Sequence, residues 1–218
     1  MTRWVMVIDL KKCIGCATCT TACKVENFLP AETLWNHNYD YEIGKYPNVT
    51  RHFLPVPCMH CQKPACAEVC PSGATVQRKD GIVYVDYDKC LGCGYCVVAC
   101  PYKARSLAKE EKKYFKEPTP YDKFSYELRA ATQRHKVGVA SKCTFCLHRI
   151  DEGLKKGLKP GVDEDATPAC VIACIAAARY FGDADDPDSE VSKLLRTRET
   201  LQLHKELGTE PSVYYLLR

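Results

Sequence analysis

A chain of 218 residues, 46% apolar and 27% charged, with a formal charge of +4, is long enough for one compact domain or two small nested ones. It reaches Cys13 with no room for a cleavable export signal, and its longest nearly apolar run, Ala169 to Ala178, is far shorter than the roughly 20 residues of a membrane span. A secreted disulfide framework and a transmembrane anchor are therefore not expected, and so mild a basic balance gives no reason to expect a nucleic-acid partner.

The sixteen cysteines fall into four bunches of four. The first, Cys13-x2-Cys16-x2-Cys19-x3-Cys23, has the spacing of bacterial ferredoxins, which hold [4Fe–4S] clusters. The second is the near-variant Cys58-x2-Cys61-x4-Cys66-x3-Cys70. After it, Val76 to Asp86 predicts two short strands joined at Asp80-Gly81. The third run, Cys90-x2-Cys93-x2-Cys96-x3-Cys100, repeats the first and ends with Pro101, as ferredoxin runs do. The fourth, Cys143-x2-Cys146-x23-Cys170-x3-Cys174, is split. Three closely spaced cysteines on a loop reach three corners of one cube, with Gly15, Gly92 and Gly94 admitting close backbone approach. In two-cluster ferredoxins the last cysteine of a run ligates the other cluster.

That rule gives four expected ligand sets. The inner pair of clusters takes Cys58, Cys61, Cys66 and Cys100, and Cys70, Cys90, Cys93 and Cys96. The outer pair takes Cys13, Cys16, Cys19 and Cys174, and Cys23, Cys143, Cys146 and Cys170. The expected fold is α+β: two ferredoxin-like two-cluster units, one inserted in the other, with irregular loops and a C-terminal helix. Residues 1–50 with 141–185 form the outer unit, 51–105 the inner unit, 106–140 a linker and 186–218 the helix and tail. In the last segment Asp188 or Ser189 caps a helix carrying Val191, Leu194, Leu195 and Leu201, stopped by Gly208. Zinc competes for the fourth run, whose two pairs alone would make a zinc ribbon; the company of two ferredoxin runs and the x3 spacing weigh against it. Each oxidised cluster with its thiolates carries about −2, so four would bring the loaded chain to roughly −4.

Beyond the runs themselves, several segments carry a family pattern: Val7-Ile8-Asp9, Ala22-Cys23-Lys24-Val25-Glu26-Asn27, Gly44-Lys45-Tyr46-Pro47-Asn48 and Cys58-Met59-His60-Cys61. Val69-Cys70-Pro71-Ser72-Gly73-Ala74, Lys142-Cys143-Thr144-Phe145-Cys146-Leu147-His148-Arg149, Pro168-Ala169-Cys170-Val171, Phe181-Gly182-Asp183 and Tyr214-Tyr215-Leu216 complete it. In these the chain resembles, nearly end to end, the four-cluster electron-transfer subunits of the dimethyl sulfoxide reductase superfamily of molybdenum and tungsten enzymes. Within it the polysulfide and thiosulfate reductase branch is the most similar, with sulfite-oxidising, tetrathionate and arsenate relatives close by. The resemblance implies a non-catalytic subunit with four [4Fe–4S] clusters. It would relay electrons between a molybdopterin catalytic subunit and an integral-membrane, quinone-reactive subunit, in respiration of sulfur compounds or related oxyanions. It also implies a peripheral subunit of a prokaryotic membrane complex, leaning to the outer face by co-export with the catalytic partner, with the cytoplasmic face as the alternative. A formate dehydrogenase or hydrogenase complex is the alternative partner. Two features depart from the family pattern: Ile175 stands where many relatives have proline, and residues 103–141 are a long link.

That link spreads Tyr114, Phe115, Tyr121, Phe124 and Tyr126 among charges, as a partner contact or a locally packed excursion would. His60 and His148 lie near ligand cysteines, where a ring N–H would bond a thiolate or carbonyl, or the ring would pack the loop. Lys24 and Lys103 would offset cluster charge or remain solvated. No phosphate loop or nucleophile motif is present, so no substrate site is expected.

Overall fold

The computed structural model describes residues 2–110, 114–117, 119–132 and 134–217, without the side chains of residues 121, 125, 126, 129 and 130. The chain begins with strand β1 (Trp4–Asp9) and helix α1 (Thr18–Glu26), followed by β2 (Asn36–Lys45) and β3 (Asn48–Pro57). Next come α2 (Ala65–Glu68), β4 (Thr75–Gln77), β5 (Val83–Val85), α3 (Tyr95–Val98) and β6 (Arg105–Leu107). The link contains α4 (Pro120–Thr132), and β7 (Ala140–Lys142), α5 (Leu147–Lys155) and α6 (Ala169–Ile172) follow. β8 (Arg179–Asp183), α7 (Glu190–Thr197), β9 (Thr200–Leu201) and β10 (Val213–Leu216) end the chain. The combination is α+β, as expected.

Cysteine spacing and local structure are one pattern. The x3 interval between the last two cysteines of a run is a helical turn, and α1, α2, α3 and α6 each hold the third cysteine of a run. The first and third runs are also entered by the same turn. Asp9 Oδ1 accepts from the backbone N–H of Lys11 and Lys12 at 2.9 and 3.2 Å, and Asp86 Oδ1 from Asp88 and Lys89 at 3.1 and 3.4 Å. Each aspartate thereby folds the chain back towards the first cysteine of its run, a side-chain-mimicked turn.

The apolar stretch Trp4-Val5-Met6-Val7-Ile8 is buried on both faces of β1, which requires packing layers on both sides of its sheet. β1 is antiparallel to β8 and parallel to β10, and β9 closes the sheet in the order β8-β1-β10-β9. Trp4, Met6 and Ile8 join the core that contains Cys19, Cys23, Cys58, Cys143 and Cys170. Val5 and Val7 pack instead on Val191 and Leu216, under α7. The sheet therefore separates the cysteine-bearing core from the C-terminal helix.

The predicted hairpin over residues 76–86 is present as β4 and β5, with Gly81 at φ 85° in its turn. Three other features depart from expectation. Residues 36–57 are not irregular but form a long ribbon of two ten-residue strands, β2 and β3. The expected boundary at 50/51 falls within β3. The C-terminal helix is capped by Ser189, which accepts from Ser192 N–H, but ends at Thr197 rather than near Gly208. Its next turn is lost because Thr200 and Leu201 pair with β10; Gly208, at φ 65°, follows a separate 3-10 turn over Lys205–Leu207.

The link leaves the core as a pair, β6 against β7, with Arg105 opposite Lys142. Its described part packs on the outer segments. Tyr114 donates its hydroxyl to Leu29 O at 2.6 Å, Arg134 donates to Glu26 O at 2.6 Å, and His135 lies against Trp35. Phe115 and Phe124 are exposed. Tyr121 and Tyr126 lie outside the described side chains.

Candidate metal centre

Thiols distant in sequence meet in the core. One cavity is lined by Cys13, Cys16, Cys19 and Cys174. A second is lined by Cys58, Cys61, Cys66 and Cys100. Cys23 faces Cys143, Cys146 and Cys170, and their mutual repulsion adds to burial in holding the Cys23 thiol well above its usual range. In each of these groups the last cysteine of one run stands among three from another. Burial pushes Cys61 and Cys143 up to about 12, so both are protonated until a metal takes them. Cys70 behaves oppositely: its shallow burial raises it less than the backbone N–H groups of Thr75 and Ala74 and the Ser72 hydroxyl lower it, to about 7.

The sulfurs are also surrounded by donors. Backbone N–H groups of His60, Phe145, Ala140 and Ala178 donate to Cys58, Cys143, Cys90 and Cys174 Sγ at 3.5, 3.5, 3.4 and 3.3 Å. Asn36 Nδ2 donates to Cys19 Sγ at 3.2 Å, and Arg105 Nη2 to Cys66 Sγ at 3.0 Å. Arg105 Nε is buried with no hydrogen-bond partner, an orphaned donor beside the second cavity. Donors converging on sulfurs around an open volume suit an iron–sulfur core, whose bridging and terminal sulfurs accept such bonds. Among the described residues, no three cysteine, histidine or acidic groups form a site for a single metal ion. The donor set thus fits a cluster-sized group.

Two glycines also make room for neighbouring segments. A Cβ on Gly15 would overlap the Phe53 ring, and one on Gly92 the carbonyl of Gly138. These glycines, at φ 71° and 67°, admit neighbouring protein close to the cysteine loops.

His60 is fully buried between Cys58 and Cys61, and its Nδ1 accepts the Val83 N–H at 3.0 Å, so the proton resides on Nε2. Burial, with Lys142 and Arg105 nearby, holds it well below the usual histidine range, and it is neutral. Its ring stacks on Phe145 at 3.8 Å, joining the first cysteine pair of the second run to the first pair of the fourth. His148 instead meets the Glu26 carboxylate at 2.7 Å, which also receives Arg134 and Arg149. Burial works against the Glu26 charge, but these partners win and hold the carboxyl low. Lys24 clamps the loop carbonyls of Pro30, Ala31 and Thr33, and Lys103 is exposed. Sequence reasoning missed Arg105, Arg179, Lys142 and Asn36. A signal existed for two of them: each arginine is the fifth residue after the last cysteine of its run, Cys100 or Cys174.

Two family models described as 4Fe-4S dicluster domain match residues 12–74 and 49–125. The chain is 46% identical over 223 residues to the B subunit of selenate reductase from Mesobacillus selenatarsenatis, covering 98% of this chain and 72% of the relative. It is 39% identical to the B subunit of sulfite dehydrogenase from Allochromatium vinosum, covering 100% and 84%. The chain belongs to the iron–sulfur subunits of the dimethyl sulfoxide reductase family. The iron–sulfur cluster-binding subunit of menaquinone reductase from Nitratidesulfovibrio vulgaris is 37% identical, covering 99% and 89%. As a member of that family it is a non-catalytic electron-transfer component of a reductase complex, and its sixteen cysteines serve four [4Fe–4S] clusters. Among its described residues no helix is long and apolar enough to cross a membrane.

Proposed function

We propose that this subunit relays single electrons between a molybdopterin catalytic subunit, containing molybdenum or tungsten, and a quinone-reactive membrane subunit, in respiration of sulfur compounds or related oxyanions. The observation that carries this reading is the placement of the exposed thiols. Only Cys16 and Cys93 are exposed among the sixteen cysteines, and they belong to different sets. The set of Cys23, Cys143, Cys146 and Cys170 is buried throughout. A relay needs such an arrangement: two accessible ends and a dry middle. Exposed apolar side chains surround both ends, Ile14 and Ile175 near Cys16, and Leu91, Tyr95 and Val98 near Cys93. Apolar surface of this kind is normally covered by partners.

The proposed ligands are those of crossed pairing. Cys13, Cys16, Cys19 and Cys174 hold one cluster, and Cys23, Cys143, Cys146 and Cys170 its neighbour. Cys58, Cys61, Cys66 and Cys100 hold a third, which leaves Cys70, Cys90, Cys93 and Cys96 for the fourth. The two shared cavities and the proximity of Cys23 to the fourth run support this assignment, and with it the insertion of the inner unit, residues 51–105, in the outer. When bound, each cluster supplies one-electron exchange without proton or group transfer. The chain's residues hold the sulfurs, aim N–H groups at them and exclude water from the Cys23 set. Anaerobically isolated protein is expected to contain iron and acid-labile sulfide at about 16 each per chain. Stoichiometric zinc with little sulfide would refute the reading. Isolation with a molybdopterin-free large subunit would refute the choice of partner. A location on the outer face of the membrane, proposed from the family's habit of co-export, is checked by protease accessibility in intact spheroplasts; complete protection there would overturn it.

The β2–β3 ribbon is the proposed contact for one partner. It exposes Tyr39, Tyr41, Ile43 and Tyr46, while Phe53, paired with Asp40 midway along it, touches Gly15 in the loop of the exposed Cys16. An isolated two-stranded ribbon is marginal in water, so such a projection gains most by being covered. The double variant Ile43→Ser/Tyr46→Ser should lower recovery of the partner at least tenfold in affinity isolation, with iron content unchanged. Normal recovery would exclude the ribbon as a contact.

A further inference from the structure

The core contains three fully or nearly fully buried cations, Arg105, Lys142 and Arg179, and none of them has a carboxylate within ion-pairing distance among the described residues. Buried charges are normally paired. Here each stands where two cysteine sets meet. Arg179 donates Nη1 to Cys170 Sγ at 3.6 Å and Nη2 to Asn36 Oδ1 at 3.0 Å, while Asn36 Nδ2 donates to Cys19 Sγ. The guanidinium thus touches the set of Cys23 directly and the set of Cys13 through one amide. Arg105 donates to Cys66 Sγ and to Thr75 Oγ1 at 3.1 Å, and Cys96 is also close to it. Lys142 donates to Cys143 O at 2.7 Å and to Val83 O, and it faces both Cys143 and Cys66. The two arginines occupy equivalent places, each opening the strand five residues beyond the last cysteine of its run.

We propose that Arg179, Lys142 and Arg105 are three potential-setting cations, one at each junction of a linear series of cysteine sets, and that each raises the reduction potential of the two clusters it separates. The series runs from the Cys13 set, past Arg179, to the Cys23 set; past Lys142 to the Cys58 set; and past Arg105 to the Cys70 set. A fixed positive charge between two anionic groups favours the more negative, reduced form of both, and low polarity strengthens the effect. Because a junction cation acts on both neighbours, it raises the two potentials together and leaves the gap between them little changed. The proposal rests on the crossed ligand sets above.

The test is an EPR-monitored redox titration of the cluster-loaded protein. Signals are first assigned with serine variants of single ligands, so that a failure of crossed pairing shows at that stage, before any cation is changed. Arg105→Gln should then move the signals of the Cys58 and Cys70 sets to more negative potential. Arg179→Gln should move those of the Cys13 and Cys23 sets, and Lys142→Gln those of the Cys23 and Cys58 sets. The shift expected on each affected signal is at least a tenfold change in oxidised-to-reduced ratio at fixed solution potential, about 59 mV for one electron. Arg105→Lys, which retains the charge, should restore most of it. If a glutamine variant loses its clusters, Asn36→Asp sets a carboxylate against Arg179 without removing it, and should lower the same two signals as Arg179→Gln. Shifts confined to one signal, spread evenly over four, or equal for Arg105→Lys and Arg105→Gln would overturn the proposal.

Discussion

Cys100→Ser is expected to abolish or convert the same cluster as Cys58→Ser, and to leave the cluster that depends on Cys90 intact. Cys100 follows Cys96 by one turn of chain, so proximity in sequence would assign it to the third run. The structure instead puts it in a cavity with Cys58, Cys61 and Cys66, where Arg105 and Val83 are part of the wall. A serine oxygen is a harder, poorer ligand for iron than a thiolate, so the outcome is a three-iron form or a vacant site. Iron should fall by between about one and four atoms per chain, the range from conversion to complete loss of a cubane. A cluster also ties the loop after β3 to the end of α3, so its loss removes binding energy that contributes to folding. EPR spectra of Cys100→Ser, Cys58→Ser and Cys90→Ser give the comparison. If Cys100→Ser matches Cys90→Ser, each run closes its own cluster and the crossed sets are wrong.

How much of this was legible in the sequence depended on whether the determinant was local. Ligand spacing is local, because three thiols must reach one cube from one loop, and so the runs could be read directly. The Asp80-Gly81 turn is local for the same reason, since glycine supplies its positive φ. The β2–β3 ribbon had a visible alternation, Tyr39-Asp40-Tyr41-Glu42-Ile43, but it has no core-facing side over its outer half and so resembles a polar loop. The end of the C-terminal helix was misplaced because Leu201 continues the apolar period of Val191 and Leu194. Its backbone, however, is taken by β10, a partner fourteen residues further on, at Tyr215. Arg105 and Arg179 were missed because an arginine in a sequence is assumed to be solvated. Only the fold shows that they are enclosed by sulfurs.

Removal of iron and sulfide by a chelator, under anaerobic and otherwise native conditions, is expected to unfold the cysteine-bearing core. Arg105, Lys142 and Arg179 are buried to within 5% of complete, and their close partners are carbonyls, a hydroxyl, an amide and thiols. The thiols beside these cations give no counter-charge in the empty chain, because burial raises Cys66, Cys143 and Cys170 above the usual thiol range and so keeps them protonated at neutral pH. An unpaired buried charge costs several kcal/mol, about 3–5 when one partner of a pair is removed. Three such charges would together consume roughly 10 kcal/mol, comparable with the about 5–15 kcal/mol that stabilises a whole domain. Voids left among the thiols of the Cys13 and Cys58 sets would add to the loss. Near-UV circular dichroism should therefore collapse on chelation, and amides of β4, β5, β6 and β7 should lose protection from hydrogen exchange. The β1–β8–β10 sheet, whose outer face packs on α7 through Val5, Val7 and Val191 without any cysteine, should be the last region to lose protection. The triple variant Arg105→Met/Lys142→Met/Arg179→Met separates charge from cavity. If uncompensated charge is the cause, it should keep more structure after chelation than the parent chain. A metal-free parent that retains its near-UV spectrum and a cooperative thermal transition within a few degrees of the loaded form would refute the account.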